Sequence, residues 1–153
     1  MAGHLEAGPA ALKQAAAGKR LLGLDPGTKT IGTALSDPGH KVATPHRTIA
    51  RKKFAADVAE LRAIVDEYGI GGLVIGHPLN MDGSSGPRAQ AARAFQRNLE
   101  KVFDLPMLLR DERLSTVAVE RSLIEQDTSR RRRAETIDAH AAAFILQGVL
   151  DSV

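Results

Sequence analysis

Three carboxylates occupy positions from which side chains of an α/β protein can reach one site. Asp25 ends an apolar run that begins at residue 20, Glu112 follows the segment "MLLRD", and Asp138 interrupts the mostly apolar helical pattern "AETIDAHAAAFIL". A partly buried acid needs a partner, and a cation can supply one. Carboxylate oxygens suit Mg²⁺ and Mn²⁺, and two such ions about 4 Å apart can activate water at a phosphodiester. The pattern therefore favours metal-dependent phosphodiester hydrolysis.

Each acid also has a plainer interpretation. Asp25 could form a turn before the Pro-Gly pair that follows it. Glu112 could pair with the arginines on either side of its segment, and Asp138 could pair with Arg131. The joint placement of the three acids, at two strand ends and on one helix, favours the metal site over these separate explanations.

Apolar periodicity divides the chain into strands and helices. The pattern predicts strands at 20–25, 30–36, about 42–49, 72–78 and 105–113, and helices at 52–68, about 87–102, in "STVAVERSLIEQ", and from Ser129 to about residue 150. An antiparallel meander followed by helix-linked strands implies a mixed sheet with helices packed on it. Ligands in such sheets bind beyond the carboxyl ends of the strands, where Asp25, Glu112 and Asp138 could meet.

Composition sets the broad class of the protein. A chain of 153 residues is most simply one domain, and the lack of cysteine excludes disulfides and thiolate metal sites. No apolar run approaches the ~20 residues of a membrane span, and the N-terminus does not resemble a signal peptide. We expect a cytoplasmic protein without a membrane partner. Residues 1–18 are expected to form a flexible arm with a short helical turn near 10–17, and residues 19–153 the nuclease domain.

The distribution of charge points to an anionic partner. The formal net charge is +3, and basic residues are concentrated in "RKK" at 51–53 and "RRRR" at 130–133. Such runs suit a nucleic-acid backbone, although solvated helix starts explain them as well. Aromatic residues make up only 3% of the chain, which argues against binding single strands by base stacking.

Four segments resemble the signature blocks of a known family. The segments "GLDPGTKTIGTALSD", "VIGHPLNMDGSSGPRA", "DERLSTVAVERSLIE" and "IDAHAAAFILQGVLD" are similar to those of the YqgF family, described both as Holliday junction resolvases and as pre-16S ribosomal RNA nucleases. The resemblance extends from residue 20 to the C-terminus. It implies a ribonuclease H-like fold, with a five-stranded mixed sheet of order 3-2-1-4-5 and helices on both faces. It also implies that Asp25, Glu112 and Asp138 are the catalytic residues and bind two Mg²⁺ or Mn²⁺ ions.

Residues near these acids are candidates for binding the substrate. The turn at Gly27 would let a phosphate backbone approach, with Thr28 and Lys29 available to touch it. Arg88, after the loop that follows the fourth strand, and Arg113 could also contact phosphate. A salt bridge to a nearby acid explains Arg113 equally well.

The resemblance leaves more than one function open. The main expectation is an endonuclease that trims the 5′ end of the precursor of 16S ribosomal RNA, as a monomer or weak homodimer, because the chain is small and shows no dimerisation device. Cleavage of four-way DNA junctions is the alternative, and it would favour a symmetric dimer. A non-catalytic nucleic-acid-binding factor in ribosome assembly is a third possibility. The segment "LDPGTKTIGTAL" also resembles the first phosphate loop of the actin and Hsp70 superfamily, but those proteins need two such domains.

Overall fold

Five strands form one mixed sheet in a computed structural model, which describes residues 8–27, 29–77, 86–111 and 130–152, with the backbone alone for 130–138. The strands are β1 (Arg20–Pro26), β2 (Thr30–Ser36), β3 (Ala43–Ala50), β4 (Ile70–His77) and β5 (Met107–Asp111). Their order is β3-β2-β1-β4-β5. The pairs β1–β2 and β2–β3 are antiparallel, whereas β1–β4 and β4–β5 are parallel. This topology confirms the predicted fold.

The described helices are α1 (Pro9–Ala15), α2 (Phe54–Tyr68), α3 (Pro87–Glu100) and α4 (Arg130–Asp151). Pro87 occupies the first turn of α3, where its missing N–H costs nothing. Gly69 ends α2 in the left-handed conformation, with φ of 62°. No helix in the described part of the chain is long and apolar enough to cross a membrane. The helix predicted in "STVAVERSLIEQ" and the cap predicted at Ser129 lie outside the described residues.

Two apolar cores cover the two faces of the sheet. Leu22, Leu24 and Ile75 pack under α2 and α3. On the opposite face, Val74 and Leu108 pack with the C-terminal half of α4. All eight residues of β4 are buried, which explains why its sequence is a continuous apolar run rather than an alternating one.

The edge strand β3 contains a proline, Pro45. Pro45 pairs with Ala34, next to a shift of register between Gly32 and Ala34. Proline donates no hydrogen bond to the ladder, so it is tolerated at an edge or an irregularity of this kind.

Part of the expected N-terminal arm is packed against the sheet. Helix α1 contains the fully buried Leu12, and Ala16, directly after the helix, is also fully buried. A Cβ added to Gly72 would lie 2.8 Å from Leu12 Cδ1, so the strand passes very close to this side chain. Lys13 Nζ donates a hydrogen bond of 2.8 Å to the carbonyl of Leu150. The helix thus joins the core near the amino end of β4.

Candidate active site at the carboxyl edge of the sheet

Asp25 lies near the end of the central strand β1 and is only 4% exposed. Side chains alternate between the two faces of a strand. Leu24 belongs to the core under α2 and α3, whereas Gly23 lies against α4. Asp25 is therefore on the α4 face of the sheet. Pairing with Gly32 of β2 holds its backbone in place, so the carboxylate is at a rigid position.

Helix α4 crosses this face with its C-terminal end near the start of β1. Gln147 Oε1 accepts a hydrogen bond of 2.8 Å from the backbone N–H of Ala43. Ala43 pairs with Ser36, whose hydroxyl accepts a hydrogen bond of 2.8 Å from the N–H of Leu21. These contacts place the end of α4 at the amino end of β1. The beginning of α4 consequently points towards the carboxyl edge, where Asp25 is found.

The backbone of residue 138 approaches the same edge as Asp25. A Cβ on Gly23 would lie 3.0 Å from the carbonyl oxygen of Ala142 and 2.9 Å from Leu146 Cβ. Asp138 precedes Ala142 by four residues, which is about 6 Å along a helix. Asp25 follows Gly23 by two residues, which is about 6.6 Å along a strand. From the contact between Gly23 and Ala142, the strand to Asp25 and the helix to Asp138 run in the same direction over similar distances. The backbones of residues 25 and 138 are therefore brought together at the carboxyl edge.

Three of the predicted site residues lie outside the described residues, namely Thr28, Glu112 and Arg113. Strand β5 ends at Asp111, which pairs with His77 at the same carboxyl edge. Among the described side chains, no group of three or more histidine, cysteine or acidic residues could hold a metal ion. Within the described residues, the site therefore contains the side chain of Asp25 and the backbone of Asp138.

The turn after Asp25 is tied to the end of β3. Within the turn, the N–H of Gly27 donates a hydrogen bond of 2.8 Å to the carbonyl of Thr30. The N–H of Arg51 donates one of 2.9 Å to the carbonyl of Lys29, and Arg51 Nη1 donates one of 2.6 Å to the carbonyl of Gly27. These bonds fix the turn, and the side chain of Lys29 is left exposed beside it.

Arg51 is held by contacts from three separate elements. Besides Gly27, its guanidinium lies over the ring of Phe95 in α3, 5.2 Å from the centroid. Its Nε is 3.9 Å from Asp57 Oδ2 in α2. Asp57 is 1% exposed and also accepts a 2.9 Å hydrogen bond from the N–H of Lys52. The basic run at 51–53 indicated a positive surface but not these contacts of Arg51, because Gly27 and Phe95 are distant from it in the chain.

Helices α2 and α3 both begin at the carboxyl edge, because the strands that precede them, β3 and β4, run parallel to β1. Arg88 is the second residue of α3, and its side chain is exposed. A pocket of about 170 Å³ opens between the turn and α3, lined by Pro26, Gly27, Arg51, Pro87, Arg88, Ala91 and Ala92. Helix N-termini carry partial positive charge, so this side of the edge attracts anions.

His77 ends β4 with a buried imidazole. Its Nε2 has no hydrogen-bond partner within the described ranges of the chain. Burial lowers the pKa of His77, Arg93 lowers it further, and Asp111 opposes both effects. The ring is therefore neutral near pH 7.

The sheet order, the helices on both faces and the buried acid at the end of the central strand define a protein of the ribonuclease H-like class. A structural comparison agrees: "T. thermophilus RuvC in complex with Holliday junction substrate" matches with a TM-score of 0.54, at 11% sequence identity, over 86% of this chain and 93% of that one. At this identity the match concerns the fold alone. The chain belongs to the RuvX family, whose model, described as "Holliday junction resolvase", matches residues 19–152. The family resemblance seen in the sequence is thereby confirmed.

Sequence relatives carry a second description. Proteins named "Putative pre-16S rRNA nuclease" from Cereibacter sphaeroides and Rhodopseudomonas palustris are each 63% identical to this chain over 131 residues, which is 86% of this chain and 82% of theirs. A protein of the same name from Novosphingobium aromaticivorans is 61% identical over 138 residues, 90% of this chain and 88% of its own.

Proposed function

We propose that this protein is a metal-dependent endonuclease that processes the 5′ end of the precursor of 16S ribosomal RNA. The relatives that carry this activity in their name are similar to it over most of both chains. The observation that carries the proposal is the position of Asp25, buried at the end of the central strand on the face that α4 crosses. Asp138 lies on the part of α4 that approaches this end.

The residues at the edge fit a divalent ion. A carboxylate as buried as Asp25 needs hydrogen bonds or opposite charge to remain ionised. Glu112 follows Asp111 directly in the sequence, and Asp111 lies at the same edge of the sheet. Asp25, Glu112 and Asp138 would hold two Mg²⁺ or Mn²⁺ ions through oxygen, the donor that these ions prefer. Bound ions would activate a water and stabilise the oxygen that leaves.

The cations around the turn would hold the substrate backbone. Lys29 is exposed on the turn, and Arg88 is exposed in the first turn of α3. The turn at Gly27 would let the phosphate backbone approach, and Thr28 and Arg113 would join the two cations in binding phosphates on either side of the bond that is cleaved. In this arrangement the protein's own groups position the strand, and the acids define where it is cut.

A four-way DNA junction is the second candidate substrate. The description of the RuvX family model favours it. Purified protein should be tested with Mn²⁺, with Mg²⁺ and with a chelator, on an end-labelled precursor RNA and on a synthetic four-way junction. The RNA is expected to be cut in the presence of the ions and not with the chelator. Preferential cutting of the junction would support the second candidate.

Variants test the assignment of the acids. Loss of a group that merely orients a metal ligand costs about 10- to 100-fold, so Asp25→Asn and Asp138→Asn should each lower RNA cleavage by at least about 100-fold. Asp66→Asn, at an exposed position of α2, is the matched control and should cleave like the wild type. Equal activity of the wild type and Asp25→Asn would eliminate the role of Asp25. A wild type that binds RNA but does not cut it would support a non-catalytic factor.

A further inference from the structure

The pocket beside the Gly27 turn has two kinds of wall. Pro26, Pro87, Ala91 and Ala92 give it aliphatic surface, and Gly27 and two arginines complete the lining. An apolar cavity of about 150 Å³ can take up benzene. A pocket of about 170 Å³ therefore has room for one six-membered ring, and a two-ring base would extend beyond it.

Arg51 lines the pocket with a side chain that is held in place. Its guanidinium lies over Phe95, and it also contacts the carbonyl of Gly27 and the carboxylate of Asp57. An arginine fixed in this way loses little freedom when a base stacks on it, and stacking of bases on guanidinium planes is common in RNA recognition. A flat ring can therefore lie against Arg51 with the proline and alanine surface around it.

Arg88 and α3 supply the place for a phosphate. The first turn of α3 contains no acid, and a cation at a helix N-terminus opposes the helix dipole. A bound anion would accept hydrogen bonds from the N–H groups of that turn and would offset the charge of Arg88. Arg88 and the first turn of α3 both lie on the pocket wall. A ring and a phosphate of one nucleotide can therefore be held together.

The pocket is next to the proposed cleavage site but on the other face of the sheet. Asp25 is on the α4 face, whereas the following residue, Pro26, lines the pocket. We propose that this pocket binds one unpaired pyrimidine nucleotide of the RNA, with its base against Arg51 and the prolines and its phosphate at Arg88. The inference rests on the proposed function. It gives the carboxyl edge of the sheet a second role, which is to select an unpaired nucleotide near the cleaved bond.

The binding test uses the full chain and needs no catalysis. Cytidine 5′-monophosphate would be titrated into ¹⁵N-labelled protein without divalent ions, and amide resonances would be followed. Saturable shifts are expected at Gly27, Ala91 and Ala92. Cytidine and inorganic phosphate should each bind about tenfold or more weakly, because each lacks half of the ligand. Guanosine 5′-monophosphate should also bind more weakly because of its two rings.

Two variants and one matched control locate the binding. Ala91→Leu fills the pocket from an exposed helix position and should abolish the shifts, whereas Ala63→Leu, the same change at an exposed position of α2, should leave them unchanged. Arg88→Ala should weaken binding about tenfold. Equal affinity for phosphate and the nucleotide, shifts elsewhere only, or unchanged binding by Ala91→Leu would each overturn the inference.

The result of the nucleotide-binding test can be distinguished from the result of the RNA-cleavage test. Asp25→Asn should bind cytidine 5′-monophosphate like the wild type, because it alters the other face of the sheet. An RNA nuclease without saturable binding would refute the pocket and leave the function intact. Nucleotide binding by a protein that cuts no RNA would refute the nuclease and leave the nucleotide site. In an active enzyme, Ala91→Leu should raise KM for RNA with a smaller effect on kcat.

Discussion

Replacing Gly23 by alanine should push α4 away from the sheet. The new Cβ would lie 2.9 Å from Leu146 Cβ and 3.0 Å from the carbonyl oxygen of Ala142, whereas carbon atoms in good contact are about 3.5–4.0 Å apart. Neither neighbouring atom can rotate away, because one is backbone and the other is bonded to it. The helix must therefore retreat by about 0.6–1 Å. Overpacking of this kind costs about 1–3 kcal/mol, or about 2–12 °C in Tm for a protein of this size.

The retreat of α4 should also impair cleavage. Residue 138 travels with the helix, and a misplacement of about 1 Å can cost on the order of 100-fold in rate. Thermal unfolding and RNA cleavage per folded molecule would be measured together. Leu146→Ala is the control, because it costs about 2–5 kcal/mol through a cavity without driving the helix away, and its rate should stay within a few-fold of the wild type. In a strand without this contact, Gly→Ala would stabilise by about 0.4–1 kcal/mol. A more stable and fully active Gly23→Ala would refute the placement of α4.

Three further substitutions test the elements around the site. Gly69→Ala should cost about 1 kcal/mol, measured by urea unfolding, because alanine is strained at a φ of 62°. Asp57→Ala should cost about 1–3 kcal/mol by the same assay, because it removes a buried hydrogen-bond acceptor and the anion beside Arg51. The control Asp66→Ala, on the exposed side of α2, should stay within about 0.5 kcal/mol of the wild type. Burial lowers the pKa of His46 below its usual 6.5, so the unfolded chain binds a proton more readily and stability should fall as the pH drops through about 6.5. Urea midpoints at pH 7.5 and 5.5 should therefore differ less in His46→Gln than in the wild type.

The sheet was predictable because its strands differ in local pattern. The fully buried β4 is a continuous apolar run, and Pro45 marks β3 as an edge. The order of the strands came from the family resemblance, since apolar periodicity says which segments are buried but not which strands are neighbours. The position of Asp25 at the end of a rigid strand followed from the same pattern, because the apolar run stops there.

Contacts between distant segments could not be predicted. The Ala-rich sequence around Leu12 has little to mark it as core, and it packs because Gly72 has no side chain at the facing position. Arg51 belongs to a basic run that suggests a solvated surface, yet Phe95 and Asp57 hold it against two helices. Both outcomes depend on space and charge that other elements provide, and neither is encoded in the local spacing.

Charges of opposite sign meet at the carboxyl edge, and their arrangement bears on the proposed function. An RNA backbone would be repelled by Asp25 alone, since like charges at a few ångströms in a partly buried site interact strongly. Lys29 is exposed on the turn and Arg88 on α3, whereas Asp25 is buried on the α4 face of the strand end. The two cations would attract the phosphates that flank the cleaved bond, while Asp25 would serve as a ligand of the divalent ion. Binding of the backbone and binding of the ion would then be largely independent, with removal of the ion abolishing cleavage but leaving the RNA attached to the cations of the edge.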